Sequence, residues 1–488
     1  MATATLNLFS FQGKLKILHM SWMAFFLSFV VWFNHAPLMG MISASLSLTK
    51  SQISTLLVLN VALTIPARIV IGMLTDRYGP RITYSALLAA VSLPCFVFAW
   101  GDDFTTLAWS RLALGFVGAG FVVGIRMVSE WFPAHELGIA EGIYGGWGNF
   151  GSAAAAMSLP ALAMWLGGDN GWRWAITITG LLSLGFSALW WAQVSDTPKG
   201  GTYFKARNLG GLEVSTRGDF YLLLVMKIPL YMALLMLTWK LSTLAVNLLS
   251  PSSAVVTYVI LLAILGYDIW STYRANHRLF SNQIEAHDHY EFKQVAVLNV
   301  LYFATFGSEL AVVSMLPMFF AETFSLDLVL AGLVASTYAF MNLMSRPGGG
   351  WLSDRYGRKK MLLLLTVGLA IGYAIMSTIN SQWPLYLAVI TTMLCSFFVQ
   401  AGEGAVFSIV PLIKRRLTGQ IAGLTGAYGN VGAVFYLTML TSLTYADFFM
   451  LMSGTAVLGL VTLSLLREPK GHMMETAEDG SVVMIKIS

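Results

Sequence analysis

The sequence predicts an all-α, polytopic membrane protein made of two similar halves, and three observations support that fold class. Of the 488 residues, 57% are hydrophobic and 11% are charged, whereas a soluble domain has about 45–50% apolar and about 25% charged residues. The apolar runs are long and continuous, as in Ile82–Trp100 and Met361–Ile379. One short sequence also occurs twice. Because barrel strands would alternate apolar and polar residues, the spans are predicted to be helices of about 20 residues.

The apolar runs divide the chain into four regions. Residues 1–194 contain six predicted spans, and residues 295–467 contain six more. The insert between them, residues 195–294, has polar ends and two apolar segments, Tyr221–Leu249 and Ala254–Trp270. Residues 468–488 form a polar tail, which we predict to be cytoplasmic and disordered.

The distribution of charge predicts the orientation of the chain. Basic residues gather at one side of the predicted bundle, whereas the alternate loops carry acidic residues or no charge. The basic groups are Lys14 and Lys16, Arg77 and Arg81, Arg355 with Arg358–Lys360, and Lys414–Arg416. By the positive-inside rule, both termini are predicted to be cytoplasmic. The expected location is the plasma (inner) membrane. The net charge of +5 therefore orients the chain and does not indicate a nucleic-acid partner.

The same orientation limits the insert to two spans or none, because an even number of crossings must separate two cytoplasmic loops. We predict two extra helices, which makes 14 spans. The alternative is a pair of interfacial helices, since Lys227, Pro229 and Lys240 interrupt the first apolar segment.

The repeated sequence is Gly-x-Leu-x-Asp-Arg-Tyr-Gly, at residues 72–79 and 350–357, after the second span of each half. Glycine allows tight backbone geometry in such a loop, and the aspartate can lie against a helix N-terminus. At this point the chain resembles the major facilitator superfamily, whose loop motif has this form. The resemblance implies a fold of two pseudo-symmetric six-helix halves. It also implies a gating role for six residues: Gly72, Asp76, Arg77, Gly350, Asp354 and Arg355.

A second repeat lies in the fifth span of each half, where glycines surround one asparagine. It contains Gly145, Gly148 and Asn149 in the first half and Gly426, Gly429 and Asn430 in the second. Such glycines could form a close-packing seam, with the asparagines as interhelical hydrogen-bonding groups. The motif resembles that of the nitrate/nitrite porter family. In that family this motif lines the substrate path, so the resemblance implies the same for these six residues. The long apolar insert and the sequence Gly-Glu-Gly-Ala-Val-Phe at residues 402–407 are similar to the cyanobacterial nitrate permease branch of that family.

Two arginines precede the first repeat at matching places, because Arg68 and Arg346 each lie four residues before its first glycine. An arginine within the membrane is energetically costly, so it either pairs with an acidic residue or has a functional role. A structural ion pair is one interpretation, but the intramembrane acids are not duplicated in step with the arginines. The other is a doubly cationic site for a planar oxyanion, which suits the guanidinium fork. The family resemblance implies that these two arginines bind nitrate or nitrite.

Three aromatic residues are added to the site by the resemblance alone. In the related porters, residues matching Tyr302, Phe306 and Phe121 hydrogen-bond to the anion or stack on it. Without the family match, each of these residues would be interpreted as a core residue or a lipid contact.

The energy source is open between proton symport and nitrate/nitrite exchange, because an anion must enter an electrically negative cell. Glu309 is the first candidate for a proton-coupling residue and Glu403 the second, although each could be a structural hydrogen-bonding partner. Arg111 is predicted to be a structural anchor, and Arg126 and Glu130 a local ion pair.

The sequence therefore predicts a secondary active transporter for nitrate or nitrite that works by alternating access as a monomer in the lipid bilayer. The alternatives are a carrier of another small anion and a nitrate sensor without net transport. An enzyme is not predicted, because the spans contain no catalytic cluster of histidine, cysteine or paired carboxylates. Neither a cofactor nor a metal site is predicted, and Cys95 and Cys395 both lie within apolar runs.

Overall fold

The structure, a computed structural model, describes residues 7–167, 170–208, 210–243, 248–281, 289–440, 442–476 and 482–487. Its first half contains nine helices that make six passes, because three of the passes are interrupted. They are α1 (Gly13–Phe33), α2 (Met39–Ser45), α3 (Lys50–Ala62), α4 (Thr64–Tyr78), α5 (Pro80–Trp100), α6 (Phe104–Leu114), α7 (Gly120–Trp131), α8 (Ala134–Leu166) and α9 (Gly171–Gln193). A 3-10 turn, Gly115–Ala119, separates α6 from α7.

The second half also makes six passes after the insert, and among the described residues only its second pass is divided between two α-helices. The insert forms α10 (Arg217–Ser242) and α11 (Pro251–Ala275). The second half follows as α12 (Phe292–Phe324), α13 (Leu328–Phe340), α14 (Asn342–Tyr356), α15 (Arg358–Met376), α16 (Leu385–Phe407), α17 (Thr418–Met439) and α18 (Tyr445–Leu463). The predicted all-α fold of two six-pass halves with two extra helices is confirmed.

Both helices of the insert have the length and composition of membrane spans. They are among the eleven helical stretches of the described residues that are long and apolar enough to cross a membrane. Lys227 on α10, which favoured the interfacial alternative, lies 2.6 Å from a carboxylate oxygen of Asp268 on α11. The Tyr231 hydroxyl donates to the same carboxylate at 3.1 Å. The charge of Lys227 is therefore compensated by that of Asp268 on the neighbouring helix.

The ends of the helices follow from local chemistry. Polar N-caps begin several of them, and the side chains of Asp103, Thr216 and Thr444 each accept a backbone N–H from the first turn. Gly79 and Gly357 end α4 and α14 with φ of 90° and 99°, which L-residues with a side chain rarely adopt. We call the end of the bundle that carries these two glycines the motif face, and the other end the opposite face.

Two segments of the tail form regular structure, contrary to the prediction of disorder. In the described residues they form an antiparallel hairpin of β1 (His472–Thr476) and β2 (Val482–Lys486). The hairpin is held on the motif face because the buried carboxylate of Glu475 lies 3.5 Å from the ammonium group of Lys414. The backbone carbonyl of Met474 also accepts from Lys414 at 2.8 Å. These contacts to the loop before α17 supply the order that composition does not predict.

Candidate anion-binding site

Arg68 and Arg346 come together at the interface between the halves. Arg68 lies on α4 and Arg346 on α14, and their exposed fractions are 1% and 2%. Both guanidinium groups contact the same two rings. The central carbon of Arg68 lies 5.5 Å from the Phe121 ring centre and 5.0 Å from that of Phe306. For Arg346 the distances are 5.4 and 5.9 Å. Two positive charges therefore share one aromatic enclosure.

The two arginines differ in what holds them. An NH1 group of Arg68 donates to the backbone carbonyl of Gly426 at 2.6 Å, and no salt bridge joins Arg68 to any acid within the described residues. Arg346 donates to the Tyr302 hydroxyl at 2.9 Å and lies 3.0 Å from a carboxylate oxygen of Glu403. The expectation that the acids would not be duplicated in step with the arginines holds, but one arginine does have an acidic partner.

Aromatic rings complete the enclosure. Tyr302 and Phe306, one helical turn apart on α12, stack with ring centres 5.1 Å apart. Phe121 is parallel to Tyr302 across the interface at 6.5 Å. Phe407 on α16, which the sequence did not suggest, meets the edges of Phe121 and Tyr302 at 4.7 and 4.9 Å. Its signal was its spacing from Glu403, since residues i and i+4 share a helix face.

The glycines of the second repeat take different places. A Cβ atom on Gly145 would lie 2.9 Å from the Arg346 guanidinium, and one on Gly426 would lie 3.0 Å from that of Arg68. Each arginine is thus opposed by a glycine of the other half. Gly429 meets Phe306 and Tyr302, but Gly148 packs against Phe25 on α1. The structure does not bring Gly148 to the arginines, because it points toward its own half.

The two asparagines are buried, and their side chains contain atoms without a hydrogen-bond partner in the described part of the chain. Three side-chain atoms have no partner among the described residues: both amide atoms of Asn430 and the oxygen of Asn149. Each lies one helical turn beyond the glycine that meets an arginine, on the same helix face and toward the opposite face of the bundle. A buried amide without a partner is unfavourable by about 1–3 kcal/mol. Both amides are therefore available to a polar ligand beside the arginines.

The first repeat closes the motif face. The carboxylate of Asp76 accepts from the backbone N–H groups of Gly419 and Gln420, at 2.7 and 2.8 Å, in the first turn of α17. Asp354 reaches α8 one turn deeper, where it accepts from Ile139 at 3.0 Å. The aspartates therefore join each half to the other, and Asp76 also benefits from the helix dipole.

The glycines of the first repeat allow the same closure. A Cβ on Gly72 would lie 2.3 Å from the carbonyl oxygen of Gly419, and one on Gly350 would lie 1.9 Å from that of Gly138. The basic members do not cross the interface. Arg77 donates to the carbonyl of Ala206 at 3.2 Å, and Arg355 lies over the ring of Trp351.

Arg111 is held entirely within the first half, as expected for an anchor. Its guanidinium donates to the side-chain oxygens of Asn60 and Asn34 at 3.1 and 3.2 Å, and to the carbonyl of Trp32. Arg126 is 2.9 Å from Glu130, the predicted local pair, and also 3.6 Å from Asp76.

Replacing Arg111 with alanine is expected to destabilise the protein without changing its anion selectivity. The change leaves several buried oxygens without donors, each unfavourable by about 1–3 kcal/mol. The free energy of unfolding should therefore fall by about 3 kcal/mol or more. The melting temperature of the purified variant, read beside anion competition, checks this. An unchanged melting temperature would contradict the anchoring role.

The fold defines a membrane carrier of two pseudo-symmetric halves, with the two buried arginines as a candidate anion site between them. The Major Facilitator Superfamily model matches residues 21–275 and 298–484. "Nitrate/nitrite transporter NrtP" of Picosynechococcus sp. is 47% identical, with 97% of this chain and 96% of that protein covered. The protein of the same description from Nostoc punctiforme is 46% identical at the same coverage. The chain belongs to the major facilitator superfamily and, within it, to the family of cyanobacterial nitrate/nitrite transporters.

A solved structure agrees with the fold. The human organic anion transporter MFSD10 (TETRAN) has a TM-score of 0.61 and 14% identity, with 93% of this chain and 100% of that chain covered. The predicted superfamily and its cyanobacterial nitrate branch are both confirmed by the family model and the two bacterial relatives.

Proposed function

We propose that this chain carries nitrate or nitrite across the plasma membrane by alternating access, with the anion bound between Arg68 and Arg346. The observation that carries the proposal is the aromatic enclosure shared by two buried guanidinium groups, one of which has no acidic partner within the described residues. An uncompensated buried charge is strongly unfavourable, so an anion belongs beside it. The names of the relatives support nitrate and nitrite as that anion.

The chemistry of the donors favours a small planar oxyanion. Guanidinium forks donate in one plane, which matches the oxygen edges of nitrate or nitrite. Tyr302 can donate a further hydrogen bond, and Phe121 and Phe306 flank the site with flat apolar faces. The side-chain oxygen of Asn149 and the amide of Asn430 have no partner among the described residues, and they lie one helical turn beyond Gly145 and Gly426 toward the opposite face. A tetrahedral or larger anion would fit this enclosure less well.

The closed motif face supports a role in gating for the first repeat. We infer that the motif face is cytoplasmic, because the basic clusters lie on that side. With Asp76 and Asp354 bound across the interface, the site can exchange only with the opposite face. Transport then requires these contacts to break while others form beyond the site. Both arginines belong to one chain, so a monomer contains the whole site.

Replacing Tyr302 with phenylalanine is expected to lower the affinity for nitrate about tenfold, the equivalent of one hydrogen bond to a charged group. The ring and its stacking on Phe306 remain. Nitrate binding to the purified variant measures the effect. The matched control is Tyr436→Phe, because the Tyr436 hydroxyl contacts that of Thr455 at 2.5 Å and lies outside the arginine pair. Equal losses in the two variants would contradict a contact between Tyr302 and the anion.

Uptake of labelled nitrate and nitrite into proteoliposomes tests the function itself. We expect saturable uptake of both, competed by the other and weakly by formate or chloride. Strong competition by chloride or formate alone would favour a carrier of another anion. Specific nitrate binding without any uptake would favour a sensor, and would overturn the proposal.

A further inference from the structure

Two carboxyl groups lie beside the arginine pair and face each other. Glu403 on α16 is fully buried and lies 3.0 Å from Arg346. Glu309 on α12 is 4% exposed, and its carboxyl group is within hydrogen-bonding reach of Glu403. The sequence ranked Glu309 first as a proton-coupling residue, but the structure gives the contact with Arg346 to Glu403.

Glu309 accepts hydrogen bonds from neighbouring side chains, whereas Glu403 accepts none from the described residues. One oxygen of Glu309 accepts from the amide groups of Asn342 and, at 3.4 Å, Gln400. The other oxygen of Glu309 and both oxygens of Glu403 accept no hydrogen bond from the described residues, since Arg346 is close to Glu403 but poorly aligned. Two ionised carboxylates in this arrangement would repel each other and leave three oxygens without donors.

One proton bound by the two carboxyl groups removes the repulsion between them and supplies a hydrogen-bond donor. A proton on Glu403 makes an O–H donor that can reach the Glu309 oxygen that has no donor. The two amide contacts to the other oxygen of Glu309 keep Glu309 as the acceptor of the pair. Buried carboxyl pairs commonly hold one proton between them. Other groups that face the pair are Arg68 on α4, Tyr302 on α12 and Tyr338 on α13. Neither tyrosine is an acid strong enough to replace the carboxyl pair as the proton site.

Charge balance then links the proton to the anion. With both carboxylates ionised, the two negative charges match the two arginines, and an added anion is unbalanced. With one proton bound, the site keeps one positive charge, which suits one monovalent anion. We propose that the Glu309–Glu403 pair binds the proton that accompanies nitrate, so that the chain is a proton symporter. This inference rests on the proposed function, since it assumes that the arginine pair binds the transported anion.

The first test is the pH dependence of nitrate binding to the purified full-length protein. If one proton binds with each anion, the affinity of the wild type falls about tenfold per pH unit on the alkaline side. Glu403→Gln should bind nitrate with an affinity that no longer changes with pH, because the neutral amide mimics the protonated acid. A Glu403→Gln protein that keeps the wild-type pH dependence would overturn the inference.

The second test separates coupling from transport in proteoliposomes. In the wild type, a pH gradient that is acidic outside should drive accumulation of labelled nitrate. Glu403→Gln and Glu309→Gln should lose this accumulation and retain exchange of internal nitrite for external nitrate. Accumulation in Glu403→Gln at the wild-type level would overturn the inference and leave the proposed function standing. Absence of both activities from the wild type would overturn the proposed function itself.

A matched control exists on α8. Glu141 is also buried, at 2% exposure, and neither of its oxygens accepts a hydrogen bond from the described residues. It faces Arg415 and Asp354 near the motif face instead of the arginine pair. Glu141→Gln is expected to keep the pH dependence of nitrate binding. Loss of that dependence in Glu141→Gln would show that any buried acid produces the effect, and would overturn the assignment to the pair.

Discussion

Replacing either arginine of the site with lysine is expected to weaken nitrate binding about 100-fold or more. Lysine keeps the positive charge but loses the planar fork, and with it two charge-assisted hydrogen bonds worth about 1.5–3 kcal/mol each. A loss of about 2.7 kcal/mol is already a factor of about 100 in affinity. Nitrate binding and uptake by Arg68→Lys and Arg346→Lys measure the effect.

The control for this pair of variants is Arg81→Lys, since Arg81 donates to the carbonyl of Trp191 at the motif face and lies away from the site. Nitrate affinity at the wild-type level in both site variants would refute the assignment of the binding site.

Replacing each arginine with glutamine should show that the two arginines contribute differently to stability. In the proton-free state, Arg346→Gln leaves the ionised Glu403 without its ionic partner, and an unpaired buried charge destabilises a protein by about 3–5 kcal/mol. Arg68 has no such partner within the described residues. We therefore expect Arg346→Gln to lower the melting temperature more than Arg68→Gln, although both lose nitrate binding. Equal melting temperatures would contradict the asymmetry.

Replacing Gly350 with alanine is expected to reduce transport at least tenfold by preventing closure of the motif face. Its Cβ would lie 1.9 Å from the carbonyl oxygen of Gly138, a backbone atom that cannot move aside alone. The carrier should then remain open to the motif side. Gly348→Ala is the matched control on the same helix, because no described heavy atom outside its own stretch of helix lies within 4 Å of the added carbon.

Cysteine labelling reports the change of state. Both native cysteines are buried, and Ser345, next to Arg346, is fully buried in the closed state. In a Ser345→Cys background, Gly350→Ala should raise labelling by a polar maleimide applied from the motif side, and Gly348→Ala should not. Equal labelling with full transport in Gly350→Ala would show that this contact does not control closure.

Sequence patterns predicted most of the fold because membrane helices and an internal repeat leave strong, local signals. Apolar runs locate the spans, and the two copies of Gly-x-Leu-x-Asp-Arg-Tyr-Gly locate equivalent places in the halves. Other features depend on contacts far apart in the chain. The tail hairpin forms because Glu475 meets Lys414, and no pattern within residues 468–488 encodes that contact.

The sequence indicated which residues form the candidate site, but not which residues they contact. The matching positions of Arg68 and Arg346 indicated a pair, yet the ion pair of Arg346 with Glu403 depends on how α16 is rotated toward α14. The same limit applies to Gly148, whose motif is shared with Gly429 but whose face is turned to α1. Helix periodicity assigns a residue to a face, whereas the neighbour of that face is set by tertiary packing.

The difference between the arginines has an evolutionary consequence. In the first half, Ala119-Gly120 precedes Phe121, and in the second, Ala401-Gly402 precedes Glu403. Both third residues reach Arg346, one through an aromatic ring and the other through a carboxylate. If the halves arose by duplication and these two short sequences correspond, their third residues have since diverged. Divergence at this single position would allow one repeat to specialise in recognising the cargo while its sister acquired the link to the cell's energy supply.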